Sequence, residues 1–214
     1  MALDFDPSDD LAGVTDGLAP VTVTRPGSST GSEVAHALRR TVRTREAEKS
    51  EGRYTAGDVT WHLPASELAT APRPGDMIVD GDGQRWTVLD VQHTALGNRW
   101  RCVARNLAVV HGLDEYVDIE QATYTKGDGG ADEPAWHTWK TGLRAKIQPA
   151  RVEVKDEHQR RIAAAGFKVF LAEDVAVDHT HRVRGPDGTL YRVIGYRKAD
   201  RIDALMEIDV ERAS

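Results

Sequence analysis

Apolar and polar residues alternate with a period of two along much of the chain. In Asp58-Val-Thr-Trp-His-Leu63 the side chains of Val59, Trp61 and Leu63 share one face, and in Gly166-Phe-Lys-Val-Phe-Leu171 those of Phe167, Val169 and Leu171 do the same. That period belongs to a strand with one side on a core, because successive side chains point to opposite faces. Asp-Gly pairs punctuate the alternation at Asp82-Gly83 and Asp187-Gly188; they are the strongest hairpin signals present. Helical periodicity is sparse. Residues 33–48 fit a helix, yet Thr41, Val42 and Thr44 fit a strand equally well, and residues 156–165 read as a short helix or a long loop.

The pattern occurs twice. Asp82-Gly-Gln-Arg-Trp-Thr-Val-Leu89 lines up with Asp187-Gly-Thr-Leu-Tyr-Arg-Val-Ile194, and residues 58–63 line up with residues 166–171. The closing strands test the pairing. In Arg99-Trp-Arg-Cys-Val-Ala-Arg105 the less polar face is Trp100, Cys102 and Ala104; in Met206-Glu-Ile-Asp-Val-Glu211 it is Met206, Ile208 and Val210. The offset of 105 that aligns the Asp-Gly turns would match Cys102 with Glu207 and set an acid in the core. An offset of 106 restores parity and requires one extra residue in the second hairpin, since a one-residue slip turns every side chain to the other face.

The fold class expected is therefore mainly β, two tandem small β-barrel or sandwich domains with little helix. Residues 1–24 hold Asp4, Asp6, Asp9, Asp10 and Asp16 and no Lys or Arg, and residues 1–19 read as an acidic flexible arm. Lys126-Gly-Asp-Gly-Gly-Ala-Asp-Glu-Pro134 has a linker's composition. The expected division is a first barrel over 20–122, a linker over 123–135 and a second barrel over 136–214.

Composition adds exclusions. Hydrophobic residues at 40% and charged residues at 29% exclude wholesale disorder. No apolar run approaches a membrane span, and the first 20 residues lack the basic and apolar regions of a secretory signal. One cysteine, Cys102, can form neither an internal disulfide nor a multi-cysteine zinc site. In Asp80-Gly-Asp-Gly-Gln84 the start of a calcium loop is imitated, but Arg85 stands where that loop needs Gly and Val91 where it needs Glu, so a hairpin turn explains it better. His179 and His181 could share a strand face, yet no further ligands stand at zinc spacing, and two solvated loop histidines are the plainer reading. Arg39, Arg40, Arg43 and Arg45 could meet phosphates, but Glu46, Glu48 and Glu51 follow and the net charge is −6. These positions make a solvated or ion-paired face. No nucleophile motif, phosphate loop or dinucleotide fingerprint is present, so neither catalytic nor metal residues nor a cofactor are assigned.

The run Gly75-Asp-Met-Ile-Val-Asp-Gly-Asp-Gly-Gln-Arg-Trp-Thr-Val-Leu89 resembles a strand, Asp-Gly turn and aromatic strand shared by neck proteins of tailed phages. The second block resembles them more closely, through Ala145-Lys-Ile-Gln-Pro149, residues 183–194 and Leu205-Met-Glu-Ile-Asp-Val210. It is similar to the head-tail joining proteins (head-completion, stopper or adaptor) of long-tailed bacteriophages, which are small single barrels of about half this length. The resemblance implies a non-catalytic virion component built in the host cytoplasm. It would form a homo-oligomeric ring at the neck, bind portal or adaptor and tail proteins, let double-stranded DNA pass without specific binding, and need no membrane.

Under the corrected alignment, the outward face of the first block's last strand carries Arg99, Arg101 and Arg105, and the matching face of the second carries Glu207, Asp209 and Glu211. Opposite charge on duplicated strands nominates these six as an inter-subunit interface, in which complementarity sets register. The arm and the loops at 64–75 and 155–165 are candidates for ordering by a partner. A tail terminator, tail-tube or baseplate-hub protein is the alternative within the class. A carbohydrate-binding module is the alternative outside it; there Trp136 and Trp139 would stack on sugar, while Trp61, Trp86 and Trp100 fall on core faces.

Overall fold

The computed structural model describes residues 16–28, 30–94, 96–126, 132–150, 153–157, 160–164 and 166–213. Most of the acidic arm therefore lies outside the described residues. The chain divides into two compact units, Met1–Val110 and His111–Ser214.

The first unit is a closed six-strand barrel. Its strands are β1 (Leu18–Thr24), β2 (Gly31–Thr41), β3 (Val59–Pro64), β4 (Met77–Asp80), β5 (Arg85–His93) and β6 (Arg99–Arg105), in the order β1-β2-β3-β6-β5-β4. Every neighbouring pair is antiparallel, and β4 closes on β1 through Val21↔Asp80 to Thr24↔Met77. The ambiguous segment 33–48 resolves into both readings: strand β2 runs to Thr41, and a short helix α1 (Thr44–Lys49) follows. The core is what alternation predicts, with Val21, Val34, Val59, Trp61, Leu63, Ile78, Val88, Cys102 and Ala104 buried and Trp86 and Trp100 packed against them. Asn106 caps a last helical turn, α2 (Leu107–Val110), by accepting from the Val109 amide at 3.1 Å.

The second unit is another closed six-strand barrel: β7 (Glu115–Lys126), β8 (Asp132–Pro149), β11 (Gly166–Leu171), β12 (His181–Arg184), β13 (Leu190–Arg197) and β14 (Met206–Arg212). Between β8 and β11, β9 (Glu153–Glu157) and β10 (Arg160–Ala164) pair only with each other. The described residues among 156–165 are thus neither helix nor loop but parts of two antiparallel strands. The strand order β7-β8-β11-β14-β13-β12 is the first barrel's order with each strand replaced by its counterpart. Register repeats as well. Trp61↔Cys102 corresponds to Val169↔Ile208, and Val88↔Ala104 to Val193↔Val210. A bulge falls between Val88 and Asp90 in one barrel and between Val193 and Gly195 in the other. Those pairs reproduce the offsets of 105 before the final hairpin and 106 after it, so Met206, Ile208 and Val210 all face the core.

The division differs from the expected one. Residues 115–122 were assigned to the first block, but β7 is a wall of the second barrel, paired with β12 through Ile119↔Val183 and with β8 as far as Lys126↔Asp132. Residues 123–126 and 132–135 are a continuous ladder, not a linker. Turns and linkers draw on the same residue types for different reasons, so composition alone does not separate them.

Candidate interaction faces

The outer faces of β6 and β14 carry the six nominated charges, and the structure shows what each one touches. Arg105 is not presented to a neighbour: it is 7% exposed. Its Nε donates to Asp58 Oδ1 and its NH2 to Asp58 Oδ2, both at 2.8 Å, and NH2 also donates to the Arg53 carbonyl at 3.1 Å. Asp58, fully buried just before β3, accepts the Thr55 amide at 2.7 Å as well. The loop that returns the chain to β3 is thus bolted to the end of β6, and alternation alone cannot show that a loop folds over an outward position. Arg101 pairs with Glu46 of α1 and donates to Gln92. In the second barrel Glu207 accepts from Lys168 at 2.7 Å, Asp209 lies 3.7 Å from the same ammonium, and Glu211 pairs with Arg192. The Lys168 bond holds the Glu207 carboxyl below the usual carboxylate range and the Lys168 ammonium above its own. These acids remain at the surface, Asp209 with 54% of its side chain exposed.

Arg99 has no carboxylate partner among the described residues. Burial holds its guanidinium below its ordinary value, with the charge of Arg40 adding to the effect. His62, between them on β3, is lowered by burial and then by Arg40 and Arg99. Register explains the grouping: His62 lies opposite Leu38 on one side and Arg101 on the other, with Arg40 two residues along β2 and Arg99 two residues along β6 in the opposite sense. Arg40, Arg43 and Arg45 are exposed. Arg39 differs, reaching Asp80 at 3.3 Å with its guanidinium 5.8 Å from the Trp61 ring and 5.6 Å from the Trp86 ring.

The calcium-like run is a turn whose carboxylate is occupied. Asp80 Oδ1 accepts the Asp82 and Gln84 amides at 3.1 and 2.9 Å, and Oδ2 accepts Trp86 Nε1 at 2.9 Å in addition to Arg39. No group of three or more metal-binding side chains occurs among the described residues.

The two histidines part company. His179 is exposed in a turn, whereas His181, at 4% exposure, starts β12 on the core side. His181 is therefore not a solvated loop histidine. Its Nδ1 lies 2.8 Å from Asp178 Oδ1, its ring centroid is 4.9 Å from that of Trp139, and its Nε2 is buried without a hydrogen-bond partner. Trp136 stacks over Arg182 at 4.1 Å, so both candidate sugar-stacking tryptophans are engaged by their own barrel. Glu120, also buried, accepts from Arg182 at 2.5 Å and Arg184 at 2.7 Å. This triad and the Asp58–Arg105 pair escaped sequence reading, because partners 47 to 64 positions apart leave no periodic trace. Cys102 lies in the core, its thiol pushed up to about 12 by burial.

Compared with known protein families, residues 3–104 match the family described as Phage Head-Tail Attachment protein. No curated protein matches the chain. The match runs from ahead of β1 into the penultimate residue of β6, and the second barrel repeats the topology of the first.

Proposed function

We propose, from the match of residues 3–104 to the family described as Phage Head-Tail Attachment protein, that the chain is a structural protein of the phage neck and assembles as a homo-oligomeric ring between the portal side of the head and the tail. The family match over the first barrel carries this reading, and the second barrel of the same topology supports it by supplying each subunit with two docking modules. Both barrels are closed, so their own edges are paired and assembly falls to surface charge, hairpins and arms. The acidic net charge of −6 suits a passage through which duplex DNA moves without sticking.

The test uses phage grown without the protein. Filled heads and separate tails should accumulate, and purified protein added to the lysate should join them; normally tailed particles in its absence would overturn the reading.

Within the ring, Arg99 and Arg101 of one subunit meet Glu207, Asp209 and Glu211 of the next. Arg105 stays with Asp58 and contributes only by holding the wall behind them. Each acid already has a cation of its own barrel, so an approaching arginine adds to a pair and sets register more than affinity. Arg99→Glu with Arg101→Glu should lower the oligomer mass seen by light scattering, and Glu207→Arg with Glu211→Arg should restore it. An unchanged mass in the first variant would remove this contact.

A further inference from the structure

A groove of about 720 Å³ lies over β1 and its neighbours β2 and β4 in the first barrel. Among its lining residues are Pro20, Thr22, Glu33, Ala35, Val79 and Gly81, none bulkier than valine apart from Glu33. Thr22 pairs with Glu33 on one side and Val79 on the other, so these three side chains form one row. Pro20 stands at a bulge between Ala19↔Ala37 and Val21↔Val34 and has no amide to donate. Opposite it, the amides of Ala35 and His36 donate to Glu67 Oε2 at 2.6 and 3.2 Å, and His36 Nδ1 lies 2.6 Å from Oε1. Glu67 is thereby fixed in the wall, and Asp80, also in it, is held by Arg39. Glu33 is exposed and without an ionic partner among the described residues, and no Lys, Arg or His lines the groove.

The second barrel has the same face and fills it. Strand order and register set Tyr116, Asp118, Arg144 and Arg184 where the first barrel has Pro20, Thr22, Ala35 and Val79. Tyr116 pairs directly with Arg144, whose guanidinium lies 5.0 Å from the phenol ring. Asp118 accepts the Gly142 amide at 2.9 Å, and Arg184 donates to Glu120 at 2.7 Å. Two copies of one fold therefore differ here: one carries a ring and two cations, the other a hollow beside an unpaired acid. The hollow has the size of a binding cleft, which runs from about 300 to 1,000 Å³.

We propose that the groove receives from a partner protein what the second barrel supplies to itself: an extended segment with an aromatic side chain and a Lys or Arg on one face. The ring lies over Thr22, Ala35 and Val79, and the cation meets Glu33. Rings and guanidinium groups are the side chains that most often anchor a protein interface, and residues two apart on an extended segment share a face. A closed barrel has no free strand edge, so the segment binds by inserting side chains and not by adding a strand. The inference depends neither on ring formation nor on the charges of β6 and β14.

The experiment uses the full chain and the peptide acetyl-Gly-Tyr-Thr-Arg-Gly-amide, followed by saturation-transfer NMR, which reads weak binding to an assembly of any size. Saturation should pass to the peptide's tyrosine ring and titrate with a Kd of about 1 mM. Glu33→Gln should weaken binding about threefold, the measure of one exposed ion pair, and a peptide with Ala for Tyr should not bind. Pro20→Tyr with Ala35→Arg gives the first barrel the second's filling and should abolish binding. Thermal melting checks that this variant is folded, and Val79→Arg replaces it if it is not. Light scattering should give the filled variant the mass of the unaltered chain. No transfer at about ten times the expected Kd, or equal binding by the filled variant, would overturn the proposal. So would a fall in mass on filling, which would give the groove to a second copy of the chain.

Discussion

Asp58 and Arg105 show how one buried ion pair organises a wall. The carboxylate accepts three hydrogen bonds, two from Arg105 and one from the Thr55 amide. Removing it leaves an enclosed guanidinium without its carboxylate, and breaking a buried pair in this way costs about 3–5 kcal/mol. Asp58→Ala should lose about that much in urea unfolding. Cys102 makes a simpler prediction. With its thiol at about 12 and no exposure, it should resist a thiol reagent near neutral pH in the native state and react once the chain unfolds, because the thiolate is the nucleophile. Asp178 sets an acid dependence: bonds from Thr180, then from His181, hold its carboxyl down to about 2. A depressed carboxyl stabilises the fold above its ordinary value near 3.8 and ceases to do so as pH falls through about 2. Asp178→Asn should flatten the fall of melting temperature over that interval, an effect kept small by the residue's exposure. At this scale the sequence was least legible. Cys102 and Trp61 declared themselves by alternation, but the inward turn of His181 and the enclosure of Arg105 depend on Trp139 and on the loop around Asp58, which periodicity does not encode.

Among the elements, hairpins were the most legible. Gly83 and Gly188 have φ of +74° and +80°, and a Cβ at either would meet nothing within 4 Å. The cost of a side chain there is conformational alone, about 1–2 kcal/mol. Gly188→Ala should lower stability by that amount in denaturant titration without altering the near-ultraviolet signature of Tyr191 and Phe167. The extra residue of the second final hairpin was legible as a parity requirement on the last strand, whereas the matched bulges opposite Ala104 and Val210 left no mark in the alternation. Residues 156–165 misled because charged runs lack the apolar alternation by which strands are read, although the described part pairs as Lys155↔Ile162 and its neighbours. Residues 33–48 were read as two things at once because they are two: a strand followed by a helix.

For the whole molecule, the two closed barrels each bury their own hydrophobic cluster, as independently folding domains do. A chain cut after Val110 should give two fragments that each melt cooperatively, whereas a cut at the expected linker, residues 123–135, should destroy the second barrel by splitting β7 from β8. The repeat was legible because both copies kept the Asp-Gly turn. The boundary was not, because β7 follows α2 closely and its alternation reads as a continuation of the first copy. In both copies the shortest stave of the cask has the same place: β4 and β12 have four residues each, and each meets one neighbour over only three ladder positions. A carboxylate rivets each of them, Asp80 to Trp86 and Arg39 in the first and Glu120 to Arg182 and Arg184 in the second. Amide exchange should therefore start at these staves, and Asp80→Asn or Glu120→Gln should hasten it in one barrel while the other keeps its pace. Each cask thus has its own place to spring, adjustable without touching the other.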